Sequence, residues 1–226
     1  MGAVEDTGEQ PRRKGFNPLA ALGILVLVSV LVAGGWALWT FVGTSEMTRR
    51  AAADELSTLR QQWRAVADER GDEPRLVTEP EVGAAQWMIR IPALGQSQWW
   101  PVVVGTDYLD RGVGWYPGAA QPGQVGNFAV SGHQITHGEP FAGWENLHVG
   151  HQVMVESIDA VHIYTLITSA GELTVQADEA WVLEPVPGQP DQEPVQAFIT
   201  LVTHEDLIPT SDRSVVFGVL TSTELK

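Results

Sequence analysis

Residues 110–147 read DRGVGWYPGAAQPGQVGNFAVSGHQITHGEPFAGWENL. Two turn signals stand in its first half, Tyr116-Pro117-Gly118 and Gln121-Pro122-Gly123. Each joins a proline of restricted φ to a glycine that tolerates left-handed backbone. Residues 127–133 then predict a strand that ends in Gly132-His133, and His137 follows four residues later.

Outward from this stretch the same texture continues. Short β-rich runs at 86–91, 98–104, 151–157, 161–169, 180–186, 197–204 and 214–221 alternate with Gly/Pro turns such as PALG and PVPGQP. With residues 127–133 they make about eight strands and no convincing helix. That pattern predicts an all-β barrel or sandwich over 86–226. From Leu76 onward only Arg90, Arg111, Arg213 and Lys226 are basic, against 18 acidic residues, so this part carries a net −14.

The chain has 226 residues, 44% of them hydrophobic, a formal charge of −15 and no cysteine. Its length suits one domain with appendages. The missing thiols exclude disulfides, thiolate metal sites and a cysteine nucleophile. The acidic balance argues against nucleic-acid backbones and anionic lipid surfaces as partners.

Residues 18–42, PLAALGILVLVSVLVAGGWALWTFV, are uncharged and almost wholly apolar. As a helix they would extend about 37 Å, enough for a bilayer core of about 30 Å, and they are too long for the apolar region of a signal peptide. Arg12, Arg13 and Lys14 precede the segment, so residues 1–17 read as a cytoplasmic tail and the rest as extracytoplasmic. Residues 45–70 read as a stalk helix. Ala52, Leu56, Leu59, Trp63 and Val66 make one apolar stripe, suited to lying on the chain's own domain or to a short coiled coil. Residues 71–85 read as a linker.

Three features together resemble the sortases, most closely the class E sortases of actinobacteria. One is the PG-x-x-GN-x-x-x-x-GH segment ending at His133; the others are the Thr200-Leu201-Val202-Thr203 strand end and the downstream Arg213. The resemblance implies an eight-stranded sortase-type β-barrel, preceded here by the membrane and stalk helices. It also implies transpeptidation of Leu-Ala-x-Thr-Gly-type sorting signals by a His, Cys and Arg set. His133 and Arg213 match two of those positions, and His204 stands where the family has its cysteine. Tyr116, Gln134 and Trp115 are the groove residues implied, with Gln134 in place of a usual Arg and Trp115 in place of a frequent His.

A thiolate attacks the threonyl carbonyl and keeps an acyl-enzyme. An imidazole at 204 would give only a labile acyl-imidazole. The expectation is therefore a non-catalytic pseudosortase, an accessory or binding subunit of a membrane or envelope complex. It needs no cofactor and retains, at most, binding of a sorting peptide. The alternatives are an active class E sortase whose cysteine has been replaced, or a metal-dependent hydrolase using His133, His137 and His204. Thr203 and Ser131 are poorer nucleophile candidates. Adjacent strand residues face opposite ways, and Ser131 reads as a packed barrel residue.

Overall fold

The computed structural model describes residues 18–39, 43–70, 79–204 and 210–226, with the backbone alone at positions 20, 37, 70 and 204. The expected tail at 1–17 and most of the expected linker lie outside these residues. The chain divides into two units at the boundary between residues 39 and 40.

The first unit is the helix α1 (Pro18–Leu38), 21 residues long. Its Ser29 hydroxyl donates back to the Leu25 carbonyl at 2.9 Å, which removes the polar group from the apolar surface. Leu22, Ile24, Leu31 and Val32 are among its exposed apolar side chains. Among the described residues no helix is long and apolar enough to cross a membrane. The spanning segment expected at 18–42 is thus represented only by α1, and its last residues lie beyond the described set.

The second unit opens with α2 (Thr44–Arg70). Nine strands follow: β1 (Ala85–Arg90), β2 (Trp100–Val104), β3 (Val113–Trp115), β4 (Gly126–Ser131), β5 (Gln152–Glu156), β6 (Ala160–Leu166), β7 (Thr174–Gln176), β8 (Ala197–His204) and β9 (Asp212–Leu225). Hydrogen bonds run in the order β6-β5-β1-β2-β3-β4-β8-β9, and β9 pairs back to β6. These eight strands close a mixed barrel, with β2–β3 and β4–β8 parallel. β7 is a ninth, appended strand that pairs with the first residues of β9.

Two short strands were not foreseen. β3 and β7 have three residues each, too few to display an alternating pattern. Conversely, the strand expected at 180–186 is a 3-10 turn, Ala180–Leu183. The reason is visible in its carbonyls: those of Val182 and Glu184 accept the side-chain amide of Asn127 rather than a neighbouring strand.

The barrel interior is filled by Trp87, Phe128, Phe141, Trp144, Tyr164 and Leu201, among others. Two satellite clusters cover its outside. Leu56 and Leu59 of α2 pack on Met88 and Val103 of the β1–β2 pair, joined by the half-buried Trp63 and Trp99. Val175 and Val182 cover Val202 and Val215 on the outer face of β8 and β9. Burial on both faces explains why every residue of β4 is buried.

Candidate functional site

Strand register assembles the candidate site. Ser131 of β4 lies opposite Val202 of the parallel β8, and the Gly132 amide continues the ladder to the Val202 carbonyl at 3.1 Å. On the other edge of β8, His204 lies opposite Arg213 of the antiparallel β9. Position 133 is therefore brought to positions 204 and 213, far along the chain, at one end of three adjacent strands.

Each neighbour has a local cause. The Arg213 guanidinium donates to the carbonyls of Thr210 at 2.8 Å and Asp212 at 3.0 Å, which fixes its base at the mouth of β9. Tyr116 packs into the outer cluster over β8 and β9 and hydrogen-bonds Ser131. Burial raises its phenol above the ordinary value, while the Ser131 bond and the Arg213 charge oppose that rise. Thr203 is fully buried and donates to the Gly132 carbonyl at 2.9 Å, so its hydroxyl ties β8 to the end of β4. Gln134 is half-buried in the loop after His133.

Trp115 is not brought into this groove. It is a core residue, 4% exposed, packed edge-on against Trp87 at 5.3 Å, and its indole N–H donates to the Ala120 carbonyl. His137 does join His133: the two rings stack with centroids 4.6 Å apart. Among the described residues, which do not include the His204 side chain, no group of three or more His, Asp or Glu side chains is placed to hold a metal ion.

Cavity volume alone points elsewhere. A cavity of about 470 Å³ lies at the opposite end of the barrel, between α2, the 121–124 turn and the last residues of β9. The chemistry-bearing positions decide the assignment instead. A second cavity of about 360 Å³ runs between α2, Trp99, Trp100 and the loop at Gly138 and Glu139.

Sequence reading passed over two structural contributors, one at the far end of β4 and one beside the site. Asn127 of the GN motif staples the 3-10 turn over the outer face. Glu139 joins the His133 loop to α2 through Ser45, 94 residues away. No local signal marks such a pair.

Comparison with known proteins agrees with this geometry. The family model described as Sortase domain matches residues 89–221. The chain belongs to the sortase family. Sortase SrtE1 of Streptomyces coelicolor is 33% identical over 121 residues, which cover 49% of this chain but only 32% of that protein. The chain thus matches about a third of that relative's length. Sortase SrtE2 of the same organism is 25% identical across 99% of this chain and 95% of its own length. The structure of sortase E from Streptomyces avermitilis superimposes with a TM-score of 0.56 at 32% identity, covering 64% of this chain and 93% of that one. The eight-stranded mixed barrel is therefore the sortase barrel, and its relatives are class E sortases.

Proposed function

We propose that this chain is a membrane-anchored, extracytoplasmic sortase homologue that has lost the transpeptidation step and acts by binding a protein partner. One observation carries the reading. The position that continues the Thr200–Thr203 strand end and pairs with Arg213 is His204, and the chain contains no cysteine. Without a thiolate, no thioester can be held long enough for an amine to resolve it. His133, Tyr116 and Arg213 are retained, and a cationic guanidinium near the Tyr116 phenol suits an extended peptide carrying carbonyl oxygens.

Anchoring is supported by the uncharged run at 18–42. A helix that is apolar all round has no polar face to give to water, and α1 exposes its leucines and valines on every side. The basic residues before it favour a cytoplasmic N-terminus and an external barrel.

The test uses the full chain in mild detergent, with a Leu-Ala-x-Thr-Gly peptide and an amine acceptor. The unmodified protein is expected to form no transpeptidation product. Product from the unmodified protein would overturn the proposal. Product only from His204→Cys would show an intact groove that lacks its nucleophile.

A further inference from the structure

His137, Gly138 and Glu139 have φ values of 54°, 78° and 59°. Three successive residues are thus left-handed, and two carry side chains that disfavour this conformation. Such a run persists only where its surroundings hold it. The first turns of α2 supply the hold. The Ser45 hydroxyl donates to Glu139 Oε1 at 2.9 Å, and the Arg49 guanidinium lies 3.5 Å from Glu139 Oε2. A Cβ at Gly138 would meet the Trp100 ring at 2.9 Å and Thr48 Cγ2 at 3.0 Å, so the loop is pressed directly onto the helix. Ser45 and Thr48 are buried polar residues, 4% and 2% exposed.

The same loop is tied on its other side to His133. The Phe141 amide donates to the His133 carbonyl at 2.9 Å, and the His137 ring stacks on His133. The apolar stripe of Ala52, Leu56 and Leu59 holds α2 to the barrel further along, so packing of that stripe does not by itself account for Ser45 and Arg49.

We propose that the N-terminal turns of α2 position the His133 loop, with Glu139 as the positioning residue through which the helix sets the His133–His137 stack. Displacing the start of α2 would then release the loop while the barrel stays closed. A partner or a pull on the helix could do this, which would couple events at the stalk to the groove. This rests on taking the His133 end of the barrel as the working site.

The test is residue-resolved hydrogen exchange on the full chain in detergent, with histidine ring NMR signals recorded alongside. Three variants are compared with the parent: Ser45→Ala, Arg49→Gln and Glu139→Asn. Asparagine tolerates left-handed backbone better than glutamate does, so Glu139→Asn removes the carboxylate without adding backbone strain. In Ser45→Ala and Glu139→Asn the amides of Glu139, Phe141 and Ala142, all bonded within the loop, should exchange about tenfold faster or more. Arg49 is half exposed and also meets Glu46, so Arg49→Gln should give a smaller acceleration. The His133 and His137 ring signals should move, while the amides of Val130 and Leu201 should stay unchanged.

Unaltered loop amides in Ser45→Ala and Glu139→Asn would overturn the proposal. So would equal acceleration in β4 and β8, which would mean a general loss of stability. None of these readouts uses transpeptidation, so an active unmodified chain would overturn the proposed function and leave this coupling standing.

Discussion

At the residue scale, Asn127 shows how a motif position can be structural. Its amide donates to the carbonyls of Val182 and Glu184, both at 3.0 Å, and its oxygen accepts from Thr200 at 2.8 Å. Asn127→Ala would remove three hydrogen bonds, at about 0.5–1.5 kcal/mol each, while Thr200 keeps its bond to the Val182 carbonyl at 3.2 Å. A loss of about 2–4 kcal/mol is expected, read as a lower urea midpoint at constant m-value. A shift below about 0.5 kcal/mol would show that the turn is held by packing instead. His162 makes a pH prediction. Burial holds its imidazole below the ordinary value, and the Asp159 charge opposes this. The folded pKa thus lies below the unfolded one, so its contribution is complete above about pH 6.5 and is lost as pH falls toward the folded value. His162→Gln should flatten the decline in stability between about pH 7 and pH 5 relative to the parent. Parallel declines would discount the group. Gly123 lies directly against this ring, which leaves no room for a Cβ, and its φ is +78°. His133 and Arg213 were legible from their motifs, whereas the burial of Trp115 was not, because an aromatic beside a turn reads alike on a rim and in a core.

At the scale of elements, α2 is held mainly by its apolar stripe. Leu59 is 3% exposed against Met88 and Val103, and Leu59→Ala is expected to cost about 2–4 kcal/mol in thermal or urea unfolding. The Glu55–Arg111 ion pair also joins α2 to the barrel, but both side chains are partly exposed. Glu55→Gln should therefore cost under about 1 kcal/mol. If the two costs came out in reverse order, the electrostatic contact would be the main tether. The spacing of Ala52, Leu56, Leu59 and Trp63 already described an amphipathic helix. What it packed against depended on the outer faces of β1 and β2, which no local pattern reveals. The run at 180–186 looked like a strand for a related reason. A short apolar, β-rich run predicts a strand, but Asn127, more than 50 positions away, takes its carbonyls.

For the whole molecule, charge and hydropathy separate two kinds of membrane attachment. A chain of net charge −15 has little attraction for anionic lipid, so the anchoring proposed above would rest on the uncharged segment at 18–42. The full chain is expected to float with neutral lipid vesicles and to stay bound in about 1 M salt, where the Debye length is about 3 Å. Only detergent should release it; release by salt would refute an integral anchor. The sequence by itself determined the chemistry available: no thiol, one long uncharged apolar segment, and the motif residues that mark a sortase barrel. These are properties of single residues and short windows. Only the tertiary structure decided which of them meet. It joined β9 to β6 to close the barrel, set positions 133, 204 and 213 side by side, buried Trp115, and brought Ser45 to Glu139. Each of those outcomes depends on strand register and close packing between segments far apart in the chain. That register is fixed by the whole set of facing side chains, so no single window contains it.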